Sequence, residues 1–138
     1  MKSVIAAIGC LFILTACSPN TESVNDSAPE VTWNSLQEQY LPKLQNNTAS
    51  KLICGFQSGV ATCLDRVKTD LNSLDSAATT TFGNEAAGLS SAVNKFNSAH
   101  ALYVKGRCGT AGGTLTCSTN LLEAENAAID ARNILKGK

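Results

Sequence analysis

The sequence has few charged residues, few aromatic residues and a single histidine. Charged residues make up 16% of the chain, and 11 Lys and Arg residues balance 11 Asp and Glu residues. This balance excludes the basic surface of a nucleic-acid-binding protein and the composition of an acidic disordered tail. We therefore expect no nucleic acid among the partners of this protein.

Strand patterns and long apolar runs are also missing. No segment shows the alternation of apolar and polar residues that is typical of a half-buried strand. The longest apolar run, residues 4–14, is shorter than the roughly 20 residues that cross a bilayer as a helix. With 138 residues, the chain suits about one domain. We predict an all-helical domain without a membrane-spanning helix.

Sequence motifs of common enzymes are absent. The chain has no nucleophile elbow, zinc-protease motif, phosphate-binding loop or dinucleotide fingerprint. His100 could titrate near neutral pH, but it shares a helical face with Phe96 and Tyr103, which favours a core histidine over a catalytic base. We predict that the protein is not an enzyme and needs no cofactor.

The first residues have the features of a bacterial secretion signal. A positive residue, Lys2, precedes the apolar run, and the run ends in Leu14-Thr15-Ala16-Cys17. This ending resembles the lipobox of bacterial lipoproteins, which has an aliphatic residue, two small residues and a cysteine. The resemblance implies that residues 1–16 are a signal peptide and that Cys17 carries the lipid.

Residues 17–28 contain the lipidated cysteine and a polar stretch without an apolar period, which we interpret as a flexible tether. Acyl chains on Cys17 would anchor the protein to a membrane. Ser18 occupies the position where, by analogy with enterobacterial lipoproteins, aspartate would favour retention at the inner membrane. The expected location is therefore the outer membrane, facing the periplasm.

Four amphipathic helical patterns follow in residues 29–138. Their apolar positions recur mostly at spacings of three and four, as on one face of a helix. In chain order the patterns comprise Trp33, Leu36, Tyr40 and Leu44; Val60, Leu64, Val67, Leu71, Leu74 and Ala78; Ala86, Leu89, Val93, Phe96, His100 and Tyr103; and Leu121, Leu122, Ala128, Ile129 and Leu135.

Local signals predict where these helices begin and end. Residues 27–30 have the pattern of a capping box, and Pro42 is expected to kink or divide the first helix. Residues 79–83 are expected to end the second helix. Asn84 and Asn120 are expected to cap the third and fourth helices.

Two ten-residue segments share one pattern. Residues 54–63 and 108–117 both read C-G-x-x-x-G-x-x-T-C, and each lies between two helical patterns. We interpret them as parts of an internal duplication, about 29–83 and 84–138, with convergent turn chemistry as the alternative. The expected fold is all-α, a four-helix up-down bundle built from two disulfide-clipped helical hairpins.

Four cysteines remain after Cys10 and Cys17 are set aside. In an oxidising periplasm they indicate two disulfide bonds. We favour Cys54–Cys63 with Cys108–Cys117, which closes two short turns. The alternative is Cys54–Cys108 with Cys63–Cys117, because both turns would lie at one end of an up-down bundle. The C-x8-C spacing lacks the close ligand pairs of zinc sites, so we predict no metal site.

The two turns are the predicted partner-binding surface. They should point away from the membrane, because the lipid enters with the first helix. A few apolar anchors in a rigid frame are typical of binding hot spots, and the candidate contact residues are Phe56, Gln57, Val60, Thr114 and Leu115. The alternative is that Phe56 and Leu115 fold inward and close the end of the bundle.

The small residues Ala86, Ala92 and Ala99 indicate a second candidate surface. A groove flanked by them could admit a helix of a partner. The alternative is that these alanines allow close packing between helices.

Two classes of envelope protein resemble this layout. Its size, lipid anchor and helical content resemble those of pilotins, small lipoproteins that deliver secretins to the outer membrane. The segment Cys54-Gly55-Phe56-x-x-Gly59-Val60 is similar to a pattern in small, disulfide-bearing immunity proteins. We therefore predict a lipid-anchored protein-binding module, most simply an envelope assembly or accessory factor. The alternative is an immunity protein, or an inhibitor of a toxin or hydrolase that acts in the periplasm.

Overall fold

The structure, a computed structural model, describes residues 30–46, 51–56 and 58–138. The predicted signal peptide 1–16, Cys17 and the tether 17–28 lie outside the described residues. The described part contains helices and no strand, which confirms the all-helical prediction. The helices are α1 (Trp33–Tyr40), α2 (Val60–Phe82), α3 (Ala87–Lys105) and α4 (Cys117–Lys136).

α1 is the short helix of the four, with 8 residues. It begins at a capping box in which Thr32 and Ser35 bond each other's backbone N–H, so the expected cap at residues 27–30 is wrong by a few residues. The helix then passes into a 3-10 turn, Leu41–Leu44, that has Pro42 in its first turn. Because proline lacks an N–H and cannot continue the α-helix, the expected division at Pro42 is confirmed.

α2 ends within the segment that the sequence predicts, residues 79–83, but only at its last residue. The helix runs to Phe82 and ends at Gly83, whose φ is 54°. The Thr79 hydroxyl donates to the carbonyl oxygen of Asp75 at 2.7 Å, which keeps this polar group bonded inside the helix. Phe82 stacks on Trp33, with ring centroids 4.1 Å apart, and this tertiary contact stabilises the last turn.

Neither predicted asparagine cap is present. Asn84 lies inside a 3-10 turn, Gly83–Ala86, and α3 begins directly after this turn without a side-chain cap. α4 begins at Cys117, three positions before Asn120, and Asn120 is buried. The Cys117 N–H donates to the Thr114 carbonyl at 3.2 Å. The turn closed by the disulfide therefore determines where α4 begins.

The core lies between the apolar faces of the helices. The predicted faces of α2 and α3 are buried, and their largest fully buried side chains are Leu64, Leu71, Leu74, Leu89 and Phe96. α4 contributes small residues, Ala124, Ala128 and Ala131, which are at most 1% exposed. They allow α3 and α4 to approach closely. Leu122, expected in the core, is 40% exposed.

α2 and α3 run antiparallel. The Ser90 hydroxyl near the start of α3 bonds Asp75 near the end of α2. His100 near the end of α3 bonds Asp65 near the start of α2. The described part of the chain is thus all-helical, with three long helices and a short first one. Among the described residues, none of these helices is long and apolar enough to cross a membrane.

Candidate functional site

Two disulfide bonds join neighbouring cysteines. Cys54 pairs with Cys63, with their Cα atoms 5.7 Å apart, and Cys108 pairs with Cys117, with their Cα atoms 5.3 Å apart. The predicted local pairing is confirmed, and the crossed pairing is excluded. We call residues 54–63 loop one and residues 108–117 loop two.

The two loops share a sequence pattern but differ in shape. Gly55 and Gly109 occupy equivalent positions and both adopt positive φ, 73° and 82°, a conformation that other residues rarely tolerate. Beyond these glycines the loops diverge. α2 begins at Val60, inside loop one, whereas α4 begins only at Cys117, the last residue of loop two. Loop two therefore stays non-helical for three residues longer.

A buried carboxylate on α4 holds the start of loop one. The Glu125 side chain is 1% exposed. One of its oxygens accepts the N–H of Ile53 at 2.7 Å, and the other accepts the N–H groups of Cys54 at 2.7 Å and Gly55 at 2.9 Å. Three hydrogen bonds to one carboxylate offset the cost of burying its charge. Loop one is thus fixed both by its disulfide and by a contact with α4.

The sequence analysis did not identify Glu125, although a signal was present. Glu125 lies four positions after Leu121 and three before Ala128, so it shares their face of α4. A charged residue at a core-facing position needs a buried partner. The pattern alone could not show that this partner is the backbone of a loop about 70 residues earlier.

The candidate contact residues differ in exposure. Phe56 is 62% exposed and Leu115 is fully exposed, at 104%. The alternative, that both side chains fold inward and close the end of the bundle, is therefore wrong. Thr114 is exposed, and its hydroxyl lies 2.9 Å from that of Thr116. Val60 is half-buried as the first residue of α2, and Gln57 lies outside the described residues.

Both loops lie at one end of the molecule. Gly109 of loop two approaches Ala61 in the first turn of α2 so closely that a Cβ at position 109 would lie 3.7 Å from the Ala61 Cβ. At the other end of α2, Phe82 packs on Trp33, the first residue of α1. α2 has 23 residues, which span roughly 34 Å at about 1.5 Å per residue. The chain thus enters α1 at the end opposite to the two loops.

Comparisons with protein families, with curated proteins and with solved structures gave no match for this chain. Its site must be defined from its own side chains. In the part of the chain that the structure describes, no group of three or more His, Cys, Asp and Glu residues is placed to hold a metal ion. The loop end is instead distinguished by the apolar side chains Phe56 and Leu115.

A long groove runs between α3 and α4 on another face. Its volume is about 1010 Å³, and its walls include Ser91, Asn94 and Asn126. Of the three alanines expected to flank such a groove, Ala99 lines it, whereas Ala86 is fully buried. Because all three alanines are at most 5% exposed, they serve mainly in close packing.

His100 lies in the core, as its position on the α3 face predicts. It is 4% exposed, and its ring is stacked against Phe96 at a centroid distance of 5.9 Å. Its Nε2 lies 2.9 Å from the Asp65 carboxylate on α2. The side chain therefore joins α2 to α3 near the loop end.

Proposed function

We propose that this chain is a non-enzymatic, lipid-anchored protein-binding module of the bacterial cell envelope. In this proposal it acts as an assembly or accessory lipoprotein at the outer membrane, facing the periplasm. One observation supports this proposal above the others. Two large apolar side chains, Phe56 and Leu115, are exposed on disulfide-closed loops at the same end of the molecule.

Exposed apolar side chains on constrained loops suit binding energetically. Burying a Phe or Leu side chain contributes about 1.5–3 kcal/mol. A rigid loop loses less conformational entropy on binding than a mobile one. Loop one is constrained by Cys54–Cys63 and by Glu125, and loop two is constrained by Cys108–Cys117. Phe56 and Leu115 are therefore the proposed anchors.

The proposed topology directs these anchors away from the membrane. Residues 17–28 serve as the tether in this proposal, and the acyl chains of Cys17 attach it to the membrane. α1 would act as the fourth helix of an up-down arrangement, entering at the end opposite to the loops. A partner in the periplasm would then meet Phe56 and Leu115 first.

The alternative function is that of an immunity protein or an inhibitor of a periplasm-acting toxin or hydrolase. The full exposure of Leu115 favours this reading, because a protruding apolar side chain suits insertion into an active-site cleft. Both functions use protein binding, and they differ in the identity of the partner.

Photo-crosslinking in living cells tests the proposal. A photoreactive amino acid is placed at position 56 or 115, at the groove positions Asn94 or Asn126, and at the α2 control position Ser73, which is exposed. We expect adducts with one protein from positions 56 and 115 and none from position 73. Mass spectrometry then assigns the partner to an envelope assembly or to a toxin or hydrolase.

Other outcomes contradict specific parts of the proposal. Adducts from positions 94 and 126 alone would show that the partner binds the α3–α4 groove and that the loops are not the interface. Equal yields from all five positions would indicate nonspecific contacts. The absence of any adduct in cells that contain the correctly localised protein would refute a protein-binding role.

A further inference from the structure

A smaller cavity lies between α2, α3 and loop two, separate from the exposed anchors. Its volume is about 410 Å³, which falls in the range of roughly 300–1,000 Å³ for small-molecule sites. Neither Phe56 nor Leu115 lines it. Its polar lining residues are Asp65, His100, Tyr103, Arg107 and Thr110.

The Tyr103 hydroxyl is the most informative group in this cavity. The residue is only 4% exposed, and its hydroxyl has no hydrogen-bond partner among the described residues. Tyr103 lines the cavity, so its unpartnered hydroxyl is available to donate a hydrogen bond to a ligand atom there. Burial raises the pKa of Tyr103, so the phenol keeps its proton and can donate it in a hydrogen bond.

Gly109 leaves space for the tyrosine. A Cβ at position 109 would lie 3.2 Å from the Tyr103 oxygen, and the φ of Gly109 is +82°. A glycine at this position therefore lets loop two pass over the hydroxyl without a side chain that would crowd it. Loop two thus forms one wall of the cavity.

His100 and Asp65 form the second polar wall. Nε2 of His100 lies 2.9 Å from Oδ1 of Asp65, and a carboxylate only accepts hydrogen bonds, so Nε2 carries a proton. Nδ1 has no hydrogen-bond partner within the described ranges. The contact with the imidazole partly offsets the negative charge of Asp65 at the cavity.

Arg107 supplies an available positive charge at the rim. Its side chain is exposed, and it forms no ion pair with the described part of the chain. The residue adopts a φ of 55°, which is uncommon outside glycine. A guanidinium group pairs well with a planar carboxylate, to which it donates two parallel hydrogen bonds.

We propose that this cavity binds a carboxylate group through the Arg107 guanidinium and the Tyr103 hydroxyl. A singly charged planar group fits better than a doubly charged phosphate, because Asp65 in the same wall repels additional negative charge. The carboxylate belongs either to a small free acid or to an acidic side chain of a protein. This site does not depend on the proposed role of Phe56 and Leu115.

Isothermal titration calorimetry on the full-length protein in detergent micelles tests this site. Succinate serves as the free acid, and N-acetyl-glutamic acid amide represents an acidic side chain. N-acetyl-glutamine amide is the neutral control of the same shape. We expect saturable binding of the acids and none of the neutral control. Tighter binding of succinate would indicate a free acid as the natural ligand, and tighter binding of the glutamic acid derivative would indicate a protein side chain.

Two substitutions identify the groups involved. Tyr103→Phe removes only the hydroxyl, and the loss of a hydrogen bond to a charged group should raise Kd about tenfold. Arg107→Gln, at an exposed position, should raise Kd at least as much and tests the site even if Tyr103→Phe perturbs folding. Tyr40→Phe, at the other buried tyrosine, is the matched control and should leave Kd unchanged.

Three results would overturn the assignment. The first is that neither acid binds, and the second is that the glutamine derivative binds as tightly as the glutamic acid derivative. The third is that Kd is unchanged in both Tyr103→Phe and Arg107→Gln variants whose near-ultraviolet circular dichroism matches that of the wild type.

Discussion

The Glu125 carboxylate accepts a hydrogen bond from the backbone N–H of Cys54 at 2.7 Å, although 71 positions separate the two residues in the chain. The same carboxylate also accepts the N–H groups of Ile53 and Gly55. No carboxylate bond of this kind to the backbone of loop two occurs in the described part of the chain. The two loops, similar in sequence, are therefore held by different interactions.

Removal of this carboxylate should strongly destabilise the fold. Glu125→Ala leaves three backbone N–H groups without their acceptor, and each such loss costs about 1–3 kcal/mol if the group stays buried. We expect the free energy of unfolding at pH 7, measured by urea denaturation, to fall by about 3–5 kcal/mol. Glu125→Gln, which retains one acceptor oxygen, should cost less.

Glu123 on the same helix provides the matched control. Its side chain is exposed, so Glu123→Gln should change the stability by no more than about 0.5 kcal/mol. Similar losses for Glu123→Gln and Glu125→Gln would show that the three hydrogen bonds contribute little to stability.

The disulfide and the carboxylate should protect loop one by separate means. Replacing Cys54 and Cys63 together with serine should lower the stability by about 2–3 kcal/mol, as the entropy of a ten-residue loop predicts. The amides of residues 53–55 should nevertheless exchange slowly with deuterium, because Glu125 still accepts them. Rapid exchange of these amides in the folded double variant would show that the disulfide alone orders the segment.

Lipid attachment should depend on Cys17 and not on Cys10, the other cysteine outside the described residues. Cys17→Ser removes the thiol that the lipobox resemblance assigns to acylation. We expect this variant to leave the outer-membrane fraction and to lose incorporation of radiolabelled palmitate, whereas Cys10→Ser keeps both. A Cys17→Ser variant that still fractionates with the outer membrane would contradict the lipoprotein assignment.

Tyr103 should make the stability fall at high pH. Burial raises its pKa above the ordinary value of 10.0, so above pH 10 the unfolded chain loses this proton more readily than the folded one. The folded state then binds more protons, and stability decreases as pH rises from 10 towards the folded pKa. Urea denaturation at pH 8 and pH 10.5 should show a smaller decrease for Tyr103→Phe. Equal decreases for both proteins would contradict this origin.

The buried residues of α2 and α3 were predictable because the apolar positions in each helix follow a single helical period. Leu64 and Leu71 recur at spacings that keep them on one face, and Phe96 does the same in α3. The residues on that apolar face are the ones that are buried in the structure. Helix ends were less predictable. The last turn of α2 is stabilised by the contact between Phe82 and Trp33, which local sequence signals do not contain.

The disulfide pairing could be predicted from spacing, whereas the side-chain positions at the loops could not. A short closed turn places Cys54 next to Cys63 for nearly any path of the chain between them. Whether Phe56 points inward or outward depends on that path, and the path depends on Glu125 in a distant helix. The cavity around Tyr103 was beyond prediction for the same reason, since three separate segments form it.

Trp33 is the single tryptophan of the chain, and it stacks on Phe82 while the Lys138 amine lies 4.8 Å from the centre of its ring. Its fluorescence emission therefore reports on the end of the molecule where α1 begins. The loop end lies roughly 30 Å away along α2, too far for a partner bound there to alter the surroundings of the indole directly. The protein thus contains an optical probe that distinguishes events at the end where α1 begins from events at the loops, without any added label.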